Sequence, residues 1–127
     1  MKKYCDFTEL EGETPIQITK TDNSILFEML SGVYYLLEHE QECCENVYIE
    51  DIDNDLNCLI DNPILYAEES NNTGEICGCS ETWTFFKLST IKGGVTIRFY
   101  GTSSGYYSED ALLTKSYVLS DLTGLEH

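Results

Sequence analysis

Positive charge is what this chain of 127 residues has least of: six lysines and one arginine, Arg98, stand against 23 aspartates and glutamates, giving a net charge of −16. Binding a phosphate backbone depends on basic side chains displacing counterions, so direct nucleic-acid binding is not expected. The same field repels an anionic membrane surface, and the longest apolar runs, such as residues 33–37, fall far short of the roughly 20 residues of a membrane span. Histidine is nearly missing: His39 and His127 are the two present. The chain's first residues include Lys2 and Lys3 but meet Asp6 before any apolar run develops, so export is not expected and the expected location is cytoplasmic. Residues 125–127 read as the start of a vector-encoded histidine tag and carry no functional weight; residues 1–124 read as one domain.

What is present argues for an ordered core. Hydrophobic residues make up 42% of the chain, with nine tyrosines and five phenylalanines, a composition that disorder does not tolerate. Residues 16–19, 24–30 and 33–37 are apolar or alternating stretches separated by Asp22-Asn23 and Ser31-Gly32, which reads as a three-stranded antiparallel meander. The acidic stretch 38–46 reads as an exposed loop or short helical turn. Beyond it the apolar residues Ile49, Ile52, Leu56, Leu59 and Ile60 fall at helical spacing, and this predicts a helix over about 49–61, ended by Pro63. Residues 64–68 read as a strand, 70–75 as a polar loop, and 82–91 with 95–100 as a hairpin around Gly93-Gly94. In the second strand of that hairpin Val95, Ile97 and Phe99 share the core face, while Thr96, Arg98 and Tyr100 share the other. The tail from Tyr106 reads as either a short helix capped by Ser108 or a final strand around residues 117–119. The expected fold is α+β: a mostly antiparallel sheet of five to seven strands with that helix on one face, and with Trp83, Phe85, Ile97, Phe99, Ile52, Leu56 and Leu59 in or near the core.

Two groups of motifs resemble a family of small uncharacterised proteins found in bacteriophage and bacterial genomes. They are Cys43-Cys44-Glu45-Asn46-Val47-Tyr48-Ile49-Glu50-Asp51-Ile52, and Thr82-Trp83-Thr84-Phe85 continuing through Ile91-Lys92-Gly93, Val95-Thr96-Ile97-Arg98 and Gly101-Thr102-Ser103 to Gly105-Tyr106-Tyr107-Ser108-Glu109. The resemblance covers roughly residues 33–110 and implies a phage or prophage setting and a cytoplasmic location. It supplies no catalytic or ligand residues to carry over.

Candidate chemistry is sparse. His39, Cys43, Cys44, Cys77 and Cys79 have zinc-ligand side chains, but the pairs are not the two C-x2-C knuckles of a zinc ribbon, and small reduced thiols are the simpler reading; no metal or cofactor is expected. Asp51-x-Asp53-x-Asp55 opens like a calcium loop yet has Leu56 where glycine belongs. His39 sits among Glu38, Glu40 and Glu42 with nothing to tune it as a base, so an enzyme is not the expectation. Arg98, with Tyr100, Tyr106 and Tyr107, could anchor a small ligand, although pairing of Arg98 with one of many carboxylates is the plainer role. The acidity has a sharper reading. A protein-binding module could present an acidic face, here Glu40, Glu42, Asp51 and Asp55, to a basic host protein. A small-ligand or metal-binding protein that uses the Arg98/Tyr106 side or the Cys/His cluster is the alternative.

Overall fold

The computed structural model describes residues 3–39, 45–103 and 109–123. Nine strands make up the described chain: β1 (Lys3–Cys5), β2 (Pro15–Lys20), β3 (Ser24–Met29), β4 (Tyr34–Glu38), β5 (Asn46–Asp53), β6 (Tyr66–Ile76), β7 (Cys79–Thr90), β8 (Gly93–Ser103) and β9 (Leu112–Ser116). They form two antiparallel sheets, one of five strands in the order β1-β9-β4-β3-β2 and one of four in the order β5-β8-β7-β6. The only α-helix among the described residues is α1 (Leu119–Thr123), so the fold is all-β and not the expected α+β.

The expected helix over about 49–61 is replaced by β5, followed by a 3-10 turn at Leu56–Leu59. The reason lies in the register against β8. Ile49 pairs with Phe99 and Ile52 with Ile97, while a bulge between Ile49 and Asp51 inserts one extra residue. An extra residue turns a period of two into a spacing of three, which on the sequence alone is indistinguishable from the start of a helical face. Asn54, with φ of 76°, then ends the strand, and Asp55 caps the 3-10 turn by accepting a bond from Asn57 N at 2.9 Å.

The meander is present as β2, β3 and β4, with Phe27 set opposite Tyr35 and Leu26 opposite Leu36. The β7–β8 hairpin is present as well, turning at Ile91-Lys92 just before Gly93. Its strand β7 begins earlier than the sequence pattern indicates, because the polar stretch 70–75 is the outer part of β6 and pairs with it along its whole length. In the tail the strand is β9, ahead of the expected 117–119, where the chain instead enters the short helix α1; Ser108, the expected cap, lies outside the described residues.

The two inner faces share one core. Ile25, Phe27, Met29 and Leu37 from the larger sheet meet Phe86, Leu88, Ile97 and Phe99 from the smaller. Phe86 packs against Phe99 and against Phe7, with ring centroids 5.7 and 4.8 Å away. Fully burying a side chain of this size stabilises the fold by roughly 1.5–3 kcal/mol. Backbone bonds also cross between chain segments outside the ladders, including Ile49 N to Asp22 O at 2.9 Å and Gly12 N to Ile64 O at 2.8 Å. Of the expected core residues, Ile97, Phe99 and Leu59 are buried, and Ile52 and Leu56 pack against the core while partly buried. Trp83 and Phe85 are placed differently. They alternate with buried Thr82, Thr84 and Phe86 and therefore stand, half-buried, on the outer face of the four-stranded sheet.

Candidate functional site

That outer face carries a row of aromatic side chains outside the core. Cross-strand register aligns Tyr48 of β5, Tyr100 of β8, Trp83 of β7 and Asn72 of β6 in one row. Tyr48 and Tyr100 have ring centroids 5.8 Å apart, and Tyr100 and Trp83 are 5.3 Å apart. Pairs at these distances contribute about 0.5–1.5 kcal/mol beyond the area they bury, so the row is ordered before any partner arrives. Gly74 on β6 lies beside the indole: a Cβ there would sit in ordinary contact, 3.8 Å from Trp83 Cζ3 and 3.4 Å from Glu81 Oε1.

The next row is Asp51, Arg98, Phe85 and Ser70. Arg98 is held between Glu50, with Nε 2.7 Å from Oε1, and Asp51, with a guanidinium nitrogen 4.0 Å from Oδ2. Its Nε–H does not aim at the Glu50 oxygen, which makes the contact an ion pair and not a well-formed hydrogen bond. Arg98 and Tyr100 thus share a face, as the alternation of β8 requires, and the guanidinium is already engaged by carboxylates. Tyr106 and Tyr107, the other two ligand candidates, lie outside the described residues.

Carboxylates share this face with the aromatic row. Glu50, Asp51 and Asp53 come from β5, Glu68 from β6 and Glu81 from β7, against Arg98 and Lys87. Glu81 accepts a hydrogen bond from Tyr100 Oη at 2.6 Å, and this bond, with desolvation and the carboxylate's charge, pushes the phenol up to about 12. Lys87 lies 4.0 Å from Glu68, whose carboxylate also accepts from Tyr66 Oη. Of the four nominated acids, Asp51 belongs to this face and Asp55 is the cap described above, while Glu40 and Glu42 lie outside the described residues.

The Cys/His group is placed elsewhere. His39 follows β4, with its side chain only 5% exposed. Its Nδ1 is 2.8 Å from the Asp110 carbonyl oxygen and its Nε2 is 3.0 Å from Glu45 Oε2. Both ring nitrogens face an oxygen partner within the chain, so neither is turned toward a metal or a substrate. Cys77 and Cys79 are exposed at the turn between β6 and β7, and Cys43 and Cys44 lie outside the described residues. Among the described residues no three histidine, cysteine or acidic side chains come together as a metal site.

A second carboxylate cluster beside His39 was not visible in the sequence. Glu109 is buried and accepts hydrogen bonds from Ser80, Thr82 and Ser103 at 2.5, 2.6 and 2.7 Å. Burial pushes its carboxyl up, but the three hydroxyls together with His39 outweigh that and hold it below the usual range. One carboxylate thus fastens β7, β8 and the segment before β9 together, which makes Glu109 a structural bolt. The partial signal was the alternation of Ser80 and Thr82 on an inner face.

Residues 8–113 match the family described as Domain of unknown function (DUF7448), and the chain belongs to that family. No curated protein matches the chain, and no solved structure matches it.

Proposed function

We propose that this protein is a non-enzymatic protein-binding module of phage or prophage type, cytoplasmic in location, whose binding surface is the outer face of the four-stranded sheet and whose partner is a basic host protein. The observation that carries this reading is the Tyr48–Tyr100–Trp83 row, set half-buried on a solvent-facing sheet whose same face carries Glu50, Asp51, Asp53 and Glu81. Tryptophan and tyrosine are enriched among the few residues that dominate binding energy in protein interfaces, and guanidinium and ammonium groups stack on their faces. Carboxylates around such a row add attraction for the same cations. With a screening length of about 8 Å, neighbouring acids one or two strands apart act together on an approaching basic surface.

The chemistry of an enzyme is not supported by a comparable observation. His39 has both ring nitrogens facing oxygen partners, and Glu109 is buried and accepts from three hydroxyls. The experiment is affinity capture from host lysate across a salt series with the wild-type chain, Trp83→Ala, and a variant with Glu50, Asp51 and Asp53 neutralised. The expected result is one basic protein retained by wild type and released by added salt. Trp83→Ala should lose it at every salt concentration, and the neutralised variant should bind it weakly and with a flatter salt dependence. Equal retention by all three chains would exclude this face.

A further inference from the structure

The edge of the same sheet offers a second kind of recognition. β6 is its outermost strand and runs for eleven residues. Backbone groups of an antiparallel strand point alternately toward and away from the neighbouring strand. The turn at Cys77-Gly78 makes Ile76 and Cys79 a directly paired couple, so the residues in phase with Ile76 face β7. Ala67 is out of phase, and its N–H leaves the sheet to be taken by Glu11 Oε2 at 3.0 Å. Glu69, Asn71, Thr73 and Glu75 share the phase of Ala67 and turn their N–H and C=O groups to the same open side. Among the described residues no strand lies along it.

The start of this edge forms one wall of a groove of about 560 Å3, whose other wall is the 3-10 turn Phe7–Leu10. Phe7 and Ala67, both buried, give it an apolar floor, and Asp6, Glu11, Glu68 and Glu69 give it four carboxylates. Among the described residues only Glu68 of these four has a cationic side chain within 4.0 Å. Desolvation, and after it the charges of Asp110 and Asp6, raise the Glu69 carboxyl above its ordinary range, and an incoming cation offsets the charge contribution.

We infer that this edge is a strand-addition site, which takes an extended segment of a partner protein with lysine or arginine at alternate positions. The inference rests on the reading above that the partner is basic and adds how it docks. The segment's main chain pairs with β6 from Glu69 to Glu75, and its cations meet Asp6, Glu11 and Glu69. A second copy of this chain would bring a charge of −16 to the same edge, so pairing between copies is opposed.

The test uses the full chain and an acetylated, amidated peptide of alternating lysine and valine. Its controls are the glutamate-valine counterpart and a lysine-valine peptide N-methylated at every second amide. Amide hydrogen exchange is followed by NMR. The lysine-valine peptide should slow exchange at Glu69, Asn71, Thr73 and Glu75 by about tenfold or more, and neither control should. Asn71→Pro removes one outward amide, a change an edge strand tolerates, and should abolish the protection while the melting temperature holds. Should that variant fail to fold, Asp6→Asn combined with Glu69→Gln should weaken peptide binding in its place. Trp83→Ala should leave the peptide's protection intact, so loss of partner capture in Trp83→Ala and loss of edge protection in Asn71→Pro report on separate claims. No protection by the lysine-valine peptide, equal protection by the N-methylated one, or protection that persists in Asn71→Pro would overturn the inference, leaving the carboxylates as guards against self-pairing.

Discussion

Trp83 and Tyr100 stand opposite each other on neighbouring strands, ring centroids 5.3 Å apart, on the face of the sheet that the core does not use. One strand position in either direction would have put the indole in the interior with Phe86. The alternation of β7 instead gives the inner face Thr82 and Thr84, two small polar residues, and sends the largest side chain of the strand outward. That exchange of sizes places the indole in the aromatic row on which the reading of the outer face as a contact surface rests.

The Glu109 bolt sets a pH dependence. Its carboxyl is lowered in the folded protein, so its stabilisation is complete above the ordinary carboxylate value of 4.5 and is lost as the pH falls through the folded value. Thermal unfolding followed between neutral and acidic pH should show a steep loss of melting temperature below that point, and Glu109→Gln should be less stable at neutral pH and have a shallower acid slope. Glu69 runs the other way. Its raised carboxyl costs stability as the pH rises, so Glu69→Gln should raise the melting temperature at neutral pH.

Two core substitutions should move stability in opposite directions. A Cβ at Gly101 would lie 2.9 Å from Val47 Cγ2 and 3.1 Å from the Glu109 carbonyl oxygen, so Gly101→Ala should cost about 1–3 kcal/mol by overpacking. The Thr84 hydroxyl is buried with no hydrogen-bond partner. Thr84→Val keeps the shape, removes the unsatisfied group, and should gain about 1 kcal/mol. Urea midpoints measure both.

Thiol reactivity should divide by place in the fold. Cys77 and Cys79 are exposed, whereas Cys5 lies partly buried against Leu113, and burial with the nearby Glu9 pushes its thiol up to about 11. Timed alkylation at neutral pH with mass-spectrometric mapping should label Cys77 and Cys79 first and Cys5 much later. Early labelling of Cys5 would show that β1 separates from β9 in solution.

The fold was legible where one rule governed a stretch. The pattern in residues 24–29 assigned a strand, and alternation in residues 95–99 assigned both strand and face, because in each the apolar set meets a single core. It failed where a second device intervened. The bulge between Ile49 and Asp51 mimicked a helix, and the polar half of β6 carries no apolar alternation because it extends along an exposed edge. At the site, the sharing of one face by Arg98 and Tyr100 followed from β8 alone. The approach of Tyr48 and Trp83 to Tyr100 did not, since it depends on the register of three strands. The Glu109 cluster draws on β7, β8 and the segment before β9, and no local spacing announces it.

The most direct measurement of the central claim is site-specific photo-cross-linking in the host cell. A photoreactive phenylalanine analogue is placed at Trp83 in one chain and, as a control, at Val118, an exposed residue between β9 and α1. The expected outcome is a single adduct from position 83 with a basic protein, absent from position 118 and weakened when Glu50, Asp51 and Asp53 are neutralised. No adduct at position 83, or the same adducts from both positions, would contradict the assignment of the outer sheet face as the binding surface.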